Sequence, residues 1–224
     1  MTANEIVVRD ANEEALELWI EKYGDSPWVK SMVASLPVVG SFLDSHFGSM
    51  ANDIYQRRID SLLNEINSEL SSLKDKSIDS SYLESEEFFD LSQNAFSRAA
   101  KISDIDRTSA IARIISDSIL GRKNTSTPEF DLINVVGEMS PSEALMFGEI
   151  GKIYLYRKDL LTGKDSTLFV VEDIKLALPK TLQNNAEFLC ARLVSKGVFS
   201  SMFENYGLEI AGEELLRYFQ SQYL

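Results

Sequence analysis

Apolar residues recur at spacings of three and four along most of this 224-residue chain, which is the period of helices packed on one face. Leu16, Trp19, Ile20 and Tyr23 share one face of a helix expected over 12–23, with Gly24 as its stop. Asp25-Ser26-Pro27 is a cap followed by proline at the first helical position, and it opens a short helix through Val29, Met32 and Val33. Leu36-Pro37-Val38-Val39-Gly40 breaks that helix, because the residue before proline is pushed out of the helical region. A long helix is predicted from about 49 to 73. It steps through Ile59, Leu62, Ile66, Leu70 and Leu73, close to a heptad seam but too short for a coiled coil.

After a polar turn at 74–80, a helix starting near 81–86 presents Phe88, Phe89, Leu91, Ala95, Phe96 and Ala99 as its apolar face. Ser103-Asp104 caps another, with Ile105, Ile111, Ile114, Ile115 and Ile119 on the expected buried side and Gly121 as its C-terminal stop. Gly, Asn, Ser, Thr and Pro cluster over 121–128 without an apolar residue, so this segment reads as a linker.

Beyond the linker, Phe130, Leu132, Ile133, Val135 and Val136 make a short apolar element. Ser140-Pro141-Ser142-Glu143 has the form of a capping box, in which the serine accepts from the amide of the glutamate while the glutamate reaches back to the serine amide. The helix it opens should bury Leu145, Met146, Ile150 and Ile153. A turn at 162–165 precedes a β-branched and aromatic run at 167–171, expected as a short strand. A helix over about 181–196 carries Phe188, Leu189, Leu193 and Val194 and closes at Lys196-Gly197. A hairpin-like stretch over 198–210 and a final amphipathic helix with Leu215, Leu216 and Phe219 follow. This order reads like a winged helix-turn-helix. The expected fold class is therefore mainly α: an N-terminal helical bundle over 1–120, a linker over 121–128, and a C-terminal winged-helix-like α+β domain over 129–224.

Composition changes what that fold implies. With 44% hydrophobic residues the chain can build a sizeable core. No run approaches the ~18–20 apolar residues of a membrane span, and the nearest stretch, 32–43, is interrupted by Pro37 and Gly40. The lone Cys190 sits in an apolar helical run, so a buried thiol is expected. No basic leader precedes an apolar stretch, and a reducing cytoplasm fits. The net charge is -13, and it is spread evenly: residues 1–30 carry three basic and seven acidic side chains, 31–127 ten and fourteen, 128–224 nine and fourteen. Nonspecific affinity for nucleic acid comes from clustered Lys and Arg, which no segment here supplies.

A winged helix usually reads DNA with the helix corresponding to 181–196. The candidate nucleic-acid contacts there are Gln183, Asn184, Arg192 and Lys196, only two of them basic, with Glu187 opposing them. That composition favours a protein contact or self-association over DNA. Leu36, Val38, Val39 and Phe42 are candidate membrane or partner contacts, although the acidic flanks oppose an anionic lipid surface and core packing is the plainer reading.

Catalytic and cofactor chemistry finds little support. His46 is the sole histidine and no nucleophile motif surrounds it, which leaves no Ser-His-Asp arrangement. One His and one Cys cannot make a zinc site of three or four such ligands. Gly163-Lys164 lacks the rest of a phosphate-binding loop, and no G-x-G-x-x-G occurs. Carboxylates are plentiful, and Asp104, Asp106 and Arg107 form the most suggestive cluster for an all-carboxylate magnesium site. The plainer account is acids at the positive end of a helix, and Glu84, Glu86 and Glu87 read the same way. No catalytic, cofactor-binding or metal-ligating residue is assigned, and an enzyme is not expected.

The order of these motifs resembles bacterial proteins related to the abortive-infection alpha family. The likeness lies in Leu36-Pro37-Val38-Val39-Gly40, in the Arg57-Arg58 pair on the long helix, in Ser85-Glu86-Glu87-Phe88 with the Ile111–Ile115 core, and in Met139-Ser140-Pro141-Ser142-Glu143-Ala144 leading to the tail. Where such tails commonly carry a threonine before the last helix, this chain has Ile210-Ala211-Gly212. The resemblance implies a cytoplasmic bacterial or phage-related protein in antiviral defence that acts through a partner, and it transfers no catalytic residue. The reading that follows is a non-enzymatic interaction or assembly component. A DNA-binding transcriptional regulator is the alternative, and a membrane-acting effector the second alternative.

Overall fold

The computed structural model describes residues 19, 21–23, 26–36, 48–72, 78–122, 125–160, 168–202 and 205–220. They are mainly helical, with a small three-stranded antiparallel sheet near the C-terminal end. The chain divides into two compact units, Met1–Ser103 with Ile111–Lys123, and Asp104–Ala110 with Asn124–Leu224. Residues 104–110 therefore group with the second unit, although the apolar pattern assigns them to 1–120.

In the first unit, Trp19 and residues 21–23 are helical, and α1 (Pro27–Ala34) begins behind Ser26 with proline at its first position. It ends at Ser35, before Pro37. The long helix α2 (Gly48–Ser72) buries Ile59, Leu62, Ile66 and Leu70, the seam expected from their spacing, and Leu63 beside them. A one-turn helix, α3 (Ser80–Leu83), is capped by the Asp79 carboxylate, which accepts from the Ser81 and Tyr82 amides at 3.1 Å each. It leads into α4 (Glu86–Ala99), whose first turn is held by the Ser85 hydroxyl accepting from the Phe88 amide. Helix α4 packs on α1 and α2, burying Phe88, Leu91, Ala95, Phe96 and Ala99. Phe89 lies off this face and is exposed, because Phe88 and Leu91 already occupy the three-residue step that defines the stripe.

Polar contacts around this core follow from helix ends and registers. Arg58, the second residue of the arginine pair, donates from Nη1 to the Ala100 carbonyl at the end of α4 at 2.6 Å. A cation there meets the negative end of the helix. Asp60 accepts from Lys22 at 2.6 Å and from the Tyr23 hydroxyl at 2.9 Å. Helix α5 (Ile105–Ile119) buries Ile111, Ile114, Ile115 and Ile119, whereas Ile105 in its first turn is exposed. It ends in a Schellman motif, with Gly121 at φ +64° and the Gly121 and Arg122 amides donating to the Ser118 and Asp117 carbonyls.

The second unit contains α6 (Glu129–Glu138), which resolves the short apolar element of the sequence into a helix burying Leu132, Ile133 and Val136. The segment read as linker is tied to the final helix, α11 (Ile210–Gln220). The nearly buried Glu214 accepts from the Ser126 amide at 2.6 Å, the Ser126 hydroxyl at 2.8 Å and the Thr127 amide at 3.1 Å. Burial alone would raise that carboxyl; the hydrogen bonds from Thr127 and Ser126 outweigh it and lower its pKa.

Helix α7 (Pro141–Leu160) is the centre of the unit, packed against α8 (Val171–Ala177), α10 (Ala186–Ser195) and α11. Contacts on several sides explain why its apolar residues do not keep to one stripe. Met146, Phe147 and Ile150 are buried, while Leu145 is exposed and Ile153 half-buried. Phe147 meets Phe219 edge-to-face with ring centroids 5.2 Å apart, and Phe199 at 6.3 Å.

The sheet is β1 (Leu168–Val170), β2 (Phe199–Met202) and β3 (Asn205–Leu208) in the order β1-β3-β2. Leu168 stands opposite Gly207, and Phe199 opposite Leu208. Between β1 and β2 lie α8, the one-turn α9 (Lys180–Gln183) and α10. The single helix expected over 181–196 is thus two, broken at Asn184-Asn185, and α8, which the sequence pattern does not announce, precedes them. Residues Ala211 to Glu213 pass so close to the hairpin that a Cβ on Gly212 would collide with the Val198 carbonyl.

Candidate functional site

The two cations of the expected recognition helix, Arg192 in α10 and Lys196 at its C-cap, are engaged within the unit. Arg192 and Lys196 are four residues apart and so lie on one face. Both reach Glu143 at the start of α7. Arg192 donates from Nε to Glu143 Oε1 at 2.7 Å, and Lys196 from Nζ to the same oxygen at 3.0 Å. The other carboxylate oxygen, Oε2, accepts from the Ser140 amide at 2.5 Å, while the Ser140 hydroxyl accepts from the Glu143 amide at 3.2 Å. The capping box expected at Ser140–Glu143 is therefore complete, and its glutamate is also the acceptor for two cations from a distant helix.

Glu143 is fully buried. Desolvation pushes its pKa up, but the hydrogen bonds from Arg192, Ser140 and Lys196 prevail and bring it down to about 2. A buried charge is tolerable only with this degree of pairing. Lys196 is nearly buried, whereas the Arg192 side chain remains 46% exposed. Two cations around one sealed carboxylate leave this end of α10 locally positive in a chain of net charge -13.

Beside the network is an open groove of about 380 Å³. Leu182, Phe188 and Leu189 line its apolar side, and Ser140, Ser142, Asn185 and Arg192 its polar side. Phe188 is 63% exposed, and the Arg192 guanidinium lies 6.0 Å from the centre of its ring. The acidic neighbour Glu187 is engaged by Lys175 at 3.2 Å. The sequence pattern counted Phe188 among apolar packing residues. Its exposure follows from the register of α10, in which Ala186, Leu189, Cys190 and Leu193 form the buried stripe.

Gln183 donates from its side chain to the Leu178 carbonyl at 3.0 Å, and Asn184 is exposed at the end of α9. Leu36 is half-buried after α1, its amide donating to Val33, while Val38, Val39, Phe42 and His46 lie outside the described residues. Asp104 accepts from the Arg107 amide at 3.1 Å and from Arg107 Nε at 2.5 Å, and Arg107 also donates to the Met139 carbonyl. Both side chains thus serve the start of α5 and its neighbour within the second unit. Among the described residues no three His, Cys, Asp or Glu side chains stand together as a metal site, and no helix is long and apolar enough to cross a membrane. Cys190 is buried, and burial followed by the charge of Glu187 pushes its thiol up to about 12.

The fold defines a mainly α protein carrying a small α+β module. Comparison with family models, curated proteins and solved structures gives no match.

Proposed function

We propose that this chain is a non-enzymatic assembly component that makes protein contacts through a winged-helix-like C-terminal unit. The observation that carries the reading is α10: its cations Arg192 and Lys196 turn onto the buried Glu143, and Phe188 takes the exposed position beside the groove. Aromatic and arginine side chains at a partly desolvated groove are the chemistry of protein interfaces. The order helix, strand, three helices, hairpin and helix, with the sheet ordered β1-β3-β2, supports the winged-helix reading. The resemblance of the motif order to abortive-infection alpha proteins is the ground for proposing a cytoplasmic role in bacterial anti-phage defence.

Affinity purification from the native host, with protein mass and nucleic-acid readouts, tests this. The expected result is a discrete oligomer or a stoichiometric protein partner, with no retained nucleic acid. A strictly monomeric protein with no capturable partner overturns it. The winged-helix order itself favours one second reading, a DNA-binding regulator. That reading requires duplex retardation whose affinity falls steeply between about 50 and 200 mM salt. Arg192→Glu is a poor discriminator, because it would set a second carboxylate against Glu143. Charge reversal at the exposed Lys180 leaves that network intact.

A further inference from the structure

We infer that the groove between the start of α7 and the α9–α10 corner binds a short acidic segment of a partner protein, one that places an apolar side chain next to a carboxylate. The inference rests on the protein-contact reading of the C-terminal unit and adds the chemistry of the contact. Its warrant is charge complementarity combined with shape. The open groove, at about 380 Å³, falls within the size range of ligand pockets, and its apolar wall is Leu182, Phe188 and Leu189. Phe188 is largely in water in the free protein, so covering it gains apolar burial.

Charge selects the second half of the ligand. Among the described residues lining the groove the ionised side chain is Arg192, and it remains half exposed while its Nε is fixed by Glu143. The carboxylate that balances it is sealed beneath and is already shared with Lys196. Glu187, which precedes Phe188 in the chain, is paired with Lys175. A ligand carboxylate over Phe188 therefore meets a positioned guanidinium, whereas a ligand ammonium meets repulsion. The net charge of -13 acts over longer range and is screened beyond about 8 Å at physiological salt, which leaves the local cation in control of selectivity. Arginine fixed by a buried acid needs little further ordering to accept a carboxylate.

Three matched probes test the chemistry on the full chain by NMR: 3-phenylpropionate, 3-phenylpropan-1-ol and 3-phenylpropylamine. All three rings should shift the Leu182 and Leu189 methyls. The carboxylate should bind roughly two- to fivefold tighter than the alcohol and the amine more weakly than either, the range expected of one partly exposed ion pair. Raising salt from 50 to 500 mM should erase the carboxylate's advantage and leave alcohol binding unchanged. Phe188→Ser, at an exposed position, should abolish all three without altering the thermal transition. A displayed library of random heptapeptides should enrich Asp or Glu beside Phe, Leu or Ile. Equal binding of the three probes, shifts outside the groove, or enrichment of basic peptides overturns the inference. Self-association that Phe188→Ser abolishes also overturns it, by placing a second copy in the groove. A host partner whose capture is insensitive to Phe188→Ser sinks the groove and leaves the assembly reading standing, whereas capture of no partner sinks that reading.

Discussion

Replacing Glu143 by glutamine isolates the polar network that joins α7 to α10. The substitution keeps the shape and removes the charge, so a guanidinium and an ammonium lose their shared acceptor, and the new amide NH₂ faces donors. Glu143 is fully buried and its pKa falls from 4.5 to about 2, so the folded state favours the ionised form. That difference corresponds to about 3 kcal/mol at neutral pH. Because the folded pKa lies below the unfolded one, the contribution is complete above pH 4.5 and fades as pH falls toward 2. By pH 3 less than half of it should remain. Urea denaturation followed by circular dichroism, on wild type and Glu143→Gln, measures the gap directly because glutamine does not titrate. At pH 7 the variant should lose about 3 kcal/mol, or about 6–12 °C in Tm for a chain of this size. A gap below about 1 kcal/mol at pH 7, or one of constant size from pH 7 to pH 3, would refute the assignment of an ionised, paired Glu143.

Two further outcomes follow from single positions. Gly197 ends α10 in a Schellman motif, with φ +70° and the Gly197 and Val198 amides donating to Val194 and Leu193, and a Cβ there would meet open space. Gly197→Ala should therefore cost only the left-handed backbone penalty, about 1–2 kcal/mol by chemical denaturation, with Gly197→Asn recovering part of it. A neutral or stabilising alanine would contradict the backbone geometry. Cys190, with its thiol pushed up to about 12 and its side chain sealed, should react with a disulfide reagent at pH 8 at least about 100-fold more slowly in the native protein than in urea. Stoichiometric labelling of the native protein within minutes would remove Cys190 from the core.

Much of the fold was legible because local rules decide it. The cap at Ser140–Glu143, the stops at Gly121 and Gly197, the break after α1 and the buried seam of α2 each depend on residues within one or two turns of one another. Where expectation and structure part, a nonlocal term prevailed. Phe89, Ile105 and Leu145 are apolar yet exposed, since periodicity gives a stripe's spacing but neighbouring elements decide how wide a face they cover. Asn184-Asn185 splits the helix expected over 181–196, because a one-turn helix ahead of α10 lets Leu178 accept from Gln183. The linker residues Ser126 and Thr127 found an acceptor 88 and 87 residues away in Glu214, which no local pattern announces.

The candidate site divides along the same line. Sequence alone determined that α10 would carry few cations, that Arg192 and Lys196 would share a face, and that Glu143 would turn back on Ser140, since helical spacing and capping are short-range geometry. Only the tertiary structure decided that this glutamate and those cations, 49 and 53 residues apart, would meet. Burying Glu143 removes water as its partner, and the nearest cations able to replace that solvation lie on the helix packed against it. That packing draws Lys196 and the Nε of Arg192 onto Glu143, and leaves the rest of the Arg192 side chain and Phe188 exposed at the groove.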